Sequence, residues 1–247
     1  MRHLIWIFCA ALLLGGCWGG GIYVPYGDGG DTGPRPKLYV VHHGDTLYSI
    51  AFRYGMDYKQ LAGINNIHPP YTIYPGERLR LGSASAPAVA DSGPSGPVSI
   101  SDHDTGPRIQ APVIPDSNIH WAWPYDGAVV NGFSLSGKIN KGIDILGKPG
   151  AKIRSSAPGV VVYAGGGLRG YGKLVIVKHN DRYLSAYGRN ARLYVKEGEE
   201  VKAGQVLSSL GKADGAKELL HFEIRRDGKP QDPLKYLPPR QNVSGQG

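Results

Sequence analysis

The stretch at residues 218–224, ELLHFEI, reads as a β-strand. Successive side chains of a strand point to opposite faces, so Leu220, Phe222 and Ile224 share one side. Leu219, His221 and Glu223 share the other. The first set is a core face. The open question is His221, a single histidine in a mostly apolar strip. It is either a metal ligand in a hydrolytic site or the remnant of one.

The sequence around it follows the same pattern. From Trp121 to about Leu237, segments such as KIRSSAPGVVVYAGG, GKLVIVKHND, RYLSAYG and ARLYVKEGEEVKAGQVLSSLG are short strands parted by Gly-rich turns. DPLKYLPPR closes the unit. This spacing predicts an all-β domain, a β-sandwich or half-barrel, over 118–240. Residues 83–117 are rich in Ser, Ala, Pro, Gly and Asp and have no sustained apolar period, so they predict a disordered linker.

Residues 38–82 predict a second, smaller α+β unit in the order β-α-α-β. LYVVHH is a short strand. Asp45 or Thr46 caps a helix on which Leu47, Ile50, Ala51 and Tyr54 share a face, and Gly55 ends it. Asp57 caps a second helix that stops at Asn65. PGERLRL is a turn and a return strand.

Residues 1–16 predict an export signal, with a positive start and an apolar run from Leu4 to Leu14 that is too short to span a bilayer. LLGGC then ends on Cys17. The other cysteine, Cys9, lies inside the signal, so disulfide and thiol chemistry are not expected after processing. Residues 17–37 are a Gly/Pro tether. The chain has 247 residues and a formal charge of +8. For an exported protein this charge suggests anionic wall polymer, lipid head groups or an acidic partner rather than nucleic acid.

Several of these motifs resemble known families. LLGGC resembles the lipobox of bacterial lipoproteins, which implies lipidation of Cys17. By resemblance to enterobacterial sorting, Trp18 implies the outer membrane, facing the periplasm. HHGDTLYSIAFRYG, LAGINNI and IYPGERLRL resemble a LysM domain. That resemblance implies binding of N-acetylglucosamine glycans such as peptidoglycan, between Gly44, Asp45 and Thr46 on one loop and Pro70, Tyr71, Thr72 and Ile73 on another. KGIDI, APGVVVYAG, GYGKLVIVKH, AYGR and LLHFEI resemble the LytM, or M23, zinc endopeptidases, whose fold is of the duplicated-hybrid-motif type.

An active member of that family needs a His-x-x-x-Asp pair and a His-x-His strand for zinc chemistry. In this chain Asn140 stands at the first ligand position, Asp144 at the second and His221 at the third. Leu219 and Arg189 stand where the catalytic histidines would be. Asn is a poor zinc ligand, Leu219 cannot move a proton, and Arg189 stays protonated. Asp144 and His221 are therefore read as remnant ligands, with no metal or other cofactor expected. Of the remaining histidines, His3 lies in the signal, His42, His43 and His68 in the small unit, His103 in the linker, and His120 before the all-β unit. His179 ends a strand, where a structural role is expected.

The combination of lipobox, LysM and degenerate LytM unit resembles the NlpD-type lipoproteins. The resemblance implies a non-catalytic activator of periplasmic N-acetylmuramoyl-L-alanine amidases in daughter-cell separation. Asn140, Lys141, Asp144, Arg169, Tyr171, Tyr187, Arg189, Leu219 and His221 would line its partner groove. An active endopeptidase and a passive wall tether are the alternatives.

Overall fold

The computed structural model describes residues 36–82, 114–211 and 218–240. The export signal, Cys17 and most of the tether and linker fall outside these residues, as do His3 and His103.

The small domain runs β1 (Leu38–Val40), α1 (Leu47–Arg53), α2 (Tyr58–Asn65) and β2 (Arg78–Arg80), with β1 and β2 antiparallel. Thr46 is the N-cap of α1. Its hydroxyl accepts from Ser49 N at 3.0 Å, and Ser49 Oγ accepts from Thr46 N at 3.0 Å, which satisfies two orphan donors reciprocally. Asp57 caps α2 through Lys59 N and Gln60 N. The helix ends at Asn65, and Asn66 takes the left-handed cap conformation. Asn65 ties the helix to β2, donating to Arg80 O and accepting from Arg80 N.

The larger domain is a ten-stranded, largely antiparallel sheet. Its strands are β3 (Val129–Asn131), β4 (Ile143–Leu146), β5 (Lys152–Arg154), β6 (Gly159–Gly165), β7 (Lys173–Lys178), β8 (Tyr183–Leu193), β9 (Glu200–Val201), β10 (Val206–Leu210), β11 (Leu219–Arg226) and β12 (Lys229–Gln231). The main path is β3-β4-β11-β8-β7-β6-β9. The long β8 changes partner along its length. From Tyr183 to Gly188 it pairs with β11, and from Asn190 to Leu193 with β10, which in turn pairs with β5. Arg189, at a left-handed φ of 67°, sits at that switch. One sheet thus wraps around a core that includes Ile143, Ile145, Val161, Val175, Val177, Tyr187, Leu220, Phe222 and Ile224.

Two expected boundaries shift. The linker does not reach 117: Asn180 Nδ2 donates to Ile114 O at 2.9 Å and to Asp116 Oδ1 at 2.8 Å, and Arg182 pairs with Asp116 at 2.7 Å. Residues 114–117 therefore belong with the sheet. The small domain is also not a separate unit. Val162, Leu174, Ile176, Leu184 and Ala186, on the outer face of β6-β7-β8, share one apolar core with Leu47, Ile50, Phe52 and Leu61.

Polar contacts fix this docking. Thr46 Oγ1 donates to Val162 O at 3.0 Å, Arg53 Nη2 to Gly167 O at 3.1 Å, and Tyr58 OH to Asp181 Oδ1 at 3.2 Å. At the β11–β12 turn, a Cβ on Gly228 would stand 2.3 Å from Met56 C and O, so only glycine permits that approach. The docking explains a further departure from the sequence expectation. All of Leu47–Phe52 is buried rather than one face, and Tyr54 is only half-buried.

Candidate functional site

β4 and β11 pair in register, with Asp144 opposite His221, and β8 places Gly188 opposite His221 on the other side. Gly188 is there for space: a Cβ would meet Tyr171 O at 3.2 Å and His221 Cβ at 3.5 Å. The His221 ring lies between two carboxylates. Nδ1 is 2.8 Å from Asp144 Oδ1, and Nε2 is 3.0 Å from Glu223 Oε1.

Each carboxylate has further donors. Asp144 Oδ2 accepts from Asn131 Nδ2 at 2.8 Å, and Arg189 Nη1 stands 3.4 Å from Oδ1. Glu223 accepts from Tyr171 OH at 2.7 Å and from Arg225 Nε at 2.8 Å. Arg225 then reaches the small domain. Its Nη1 donates to Phe52 O at 2.6 Å, and its guanidinium carbon lies 3.4 Å from the centre of the Phe52 ring. The result is an alternating chain of charge, Arg189–Asp144–His221–Glu223–Arg225, that runs from the groove to helix α1.

The protonation states follow from this packing. Burial raises the Asp144 carboxyl, but the His221 hydrogen bond and charge, the Arg189 charge and the Asn131 hydrogen bond outweigh it and hold the group below the usual carboxylate range. Burial also raises Glu223, yet Arg225 and His221 pull it down to about 2. Burial lowers His221, but the hydrogen bonds and charges of Asp144 and Glu223 prevail and the imidazole is raised. Two ionised carboxylates can only accept, so this packing favours the ring with both nitrogens protonated.

The donor set does not fit zinc: Asp144 and His221 are the good ligands here, and a catalytic zinc takes three. The Asn140 amide is held by its own loop, with Nδ2 donating to Gly132 O at 3.0 Å and Oδ1 accepting from Gly142 N at 3.4 Å. Among the described residues, no group of three or more His, Cys, Asp or Glu side chains is arranged to hold a metal ion.

The expected groove residues separate into two sets. Asp144, Arg189 and His221 come together, and Leu219 lies beside them, half-buried and opposite Leu146. Lys141 is half-buried two residues before β4, while Arg169 is exposed in the β6–β7 connection. Tyr171 is not a lining residue. It is buried edge-on between the Phe52 ring at 5.4 Å and the His221 ring at 5.7 Å. Tyr187 lies on the opposite side of the sheet, in the inner core, where its hydroxyl accepts from Ser156 N at 2.8 Å and is hydrogen-bonded to Ser185 Oγ at 2.8 Å. Asn131, Glu223 and Arg225 were not anticipated as members of the cluster. The period of two along β11, which puts Glu223 and Arg225 on the His221 face, was the available signal.

On the small domain, the Asp45 carboxylate accepts from Tyr39 OH at 2.6 Å and His42 N at 2.9 Å, and the Thr46 hydroxyl caps α1 and reaches Val162. Both side chains are committed to the fold, so only backbone groups there remain to meet a sugar. Pro70 and Thr72 are exposed. Tyr71 and Ile73 are half-buried against the domain core, and Tyr71 packs edge-on to Tyr48 and Tyr58.

Comparison with known proteins adds the context. Residues 39–82 match the LysM domain and residues 138–233 match Peptidase family M23. The Pseudomonas aeruginosa "Lipoprotein NlpD/LppB homolog" is 44% identical over 229 residues, covering 82% of this chain and 77% of that protein. The "Uncharacterized lipoprotein YgeR" of Escherichia coli is 37% identical over 242 residues, covering 96% and 93%. The "Murein hydrolase activator NlpD" of Escherichia coli is 37% identical over 259 residues, covering 83% and 68%.

Proposed function

Because the chain belongs to the NlpD/LppB lipoprotein family, we propose that it is a wall-binding lipoprotein that activates periplasmic N-acetylmuramoyl-L-alanine amidases without cutting murein itself. The observation that carries this reading is His221 with both ring nitrogens bound to carboxylates. The charge a metal ion would bring is supplied here by fixed cations, Arg189 and Arg225, on either side of the pair. Leu219 and Arg189, in place of histidines, leave no residue to move a proton at neutral pH.

The site is instead suited to holding a partner segment. Arg189 is partly accessible beside Asp144 and can pair with an acidic side chain. Val130, Leu135 and Leu146 are exposed apolar side chains on β3, the β3–β4 loop and β4. Exposed apolar side chains and a partly desolvated arginine on this part of the sheet are the residue types of an interaction hot spot. Binding there would shift the amidase toward its open state, a difference in affinity between two conformations of the partner. Acylated Cys17 would hold the protein on the outer membrane facing the periplasm, with the small domain on peptidoglycan.

The test uses soluble protein lacking residues 1–17, labelled peptidoglycan and purified periplasmic amidases. Expected is product release only when an amidase is present, above that amidase's own rate, and its loss in Arg189→Glu. Chelator-sensitive cleavage by the protein alone would overturn the reading. No stimulation of any amidase would leave a passive tether.

A further inference from the structure

The docked domains together line an open cleft of about 650 Å³. One wall is His43 and Gly44, from the loop between β1 and α1. The other is the turn at 165–167, three consecutive glycines, with Lys196 and Glu197 at its edge. The volume is within the range of small-ligand sites, roughly 300–1,000 Å³. The floor is mixed: Tyr163 and Val195 are apolar and buried, while the turns expose backbone.

Gly166, like Gly63, Gly82 and Gly132, is a glycine that neither crowding nor a left-handed φ requires, and of these four it alone lines the cleft. Gly165 and Gly167 pack on the Tyr163 hydroxyl, where a Cβ would stand at 3.0 and 3.2 Å. At Gly166 a Cβ would meet nothing within 4 Å, and its φ is not in the left-handed region. Neither crowding nor conformation requires glycine there. A glycine beside open space in a cleft permits close approach of something else to the backbone.

We propose that this cleft extends the glycan site of the small domain onto the sheet domain, so that an N-acetylhexosamine chain held at the Gly44 loop continues across the 165–167 turn. The inference rests on the glycan-binding reading of the small domain. Such a chain presents hydroxyls and acetamido groups at every residue, which suits glycine backbone with Lys196 and Glu197 at the rim. A ligand gripped by both domains gains affinity with length until it spans the cleft.

The experiment measures binding of N-acetylglucosamine oligomers of three and six residues to the soluble two-domain protein by calorimetry. Expected is tighter binding of the hexamer than the trimer. Gly166→Trp and Lys196→Asp should each weaken hexamer binding at least fivefold and erase the length dependence. Gly63→Trp, on exposed α2 with nothing within 4 Å of its Cβ, should stay within twofold of the parent. Thermal unfolding checks that each variant is folded. If Thr72→Trp weakens binding while both cleft variants bind like the parent, the extended site is wrong and the small-domain reading stands. If the parent binds neither oligomer, the glycan-binding reading fails, and this inference with it.

Discussion

Arg225 is 1% exposed and carries its charge among Glu223, Tyr171 and Phe52. A buried ion loses several kcal/mol of hydration and is stable only while its partners remain. Arg225→Met strips the fully buried Glu223 of a donor, and should lower unfolding free energy by about 3–5 kcal/mol in a urea titration. Adding Glu223→Gln should recover part of that loss, so that the pair costs less than the sum of the two single changes.

His179 gives a cleaner pH signal than His221. It is fully buried, between Pro158 O and Ser185 Oγ, and burial lowers its imidazole to about 4, against the opposing Pro158 hydrogen bond. The neutral ring is the native form. The unfolded chain therefore binds a proton below about pH 6.5 that the native state refuses down to about 4, and stability falls across that window as the pH drops. The loss is roughly 3 kcal/mol, and His179→Asn should flatten it in denaturation curves taken between pH 7 and 4. His221 has the opposite sign, since its raised imidazole contributes fully at low pH and loses its contribution as pH rises through the folded value.

At the level of elements, strand β11 and its two faces were legible because ELLHFEI alternates cleanly, and the cap of α2 was legible in Asp57, while the cap of α1 was narrowed to Asp45 or Thr46 and is Thr46. The groove assignment of Tyr187 did not hold. Aligning AYGR to a family motif says nothing about which face of β8 a side chain takes, and parity places Tyr187 with the inner core. The docking of the small domain left a trace that was not read. GVVVYAG and KLVIVK are apolar without alternation, the mark of strands covered on both faces, and α1 is what covers the second face. Phe52→Ala should therefore cost about 3–5 kcal/mol and raise amide exchange in α1 and along β6 and β7 together. Loss confined to α1 would mean that the helix does not hold the sheet.

For the whole molecule, the shared core predicts behaviour that a flexibly linked pair would not show. With a protease site engineered between residues 90 and 100, cleavage should leave both fragments eluting together from a sizing column. Phe52→Ala, or a charge in the interface such as Ile176→Asp, should separate them. Fragments of the parent that separate at once would count against a stable interface.

A docked pair also fixes a distance. The loop at Gly44 and the groove at Arg189 lie on one body, joined by α1, Arg225 and β11, so their offset does not vary as it would across a loose string of residues. On the proposed function, a wall strand held at the first point would determine where, and in which direction, anything seated at the second must face. The molecule would then act as a gauge: bonds lying at the wrong spacing from the gripped strand would be out of reach, however tightly the partner is held.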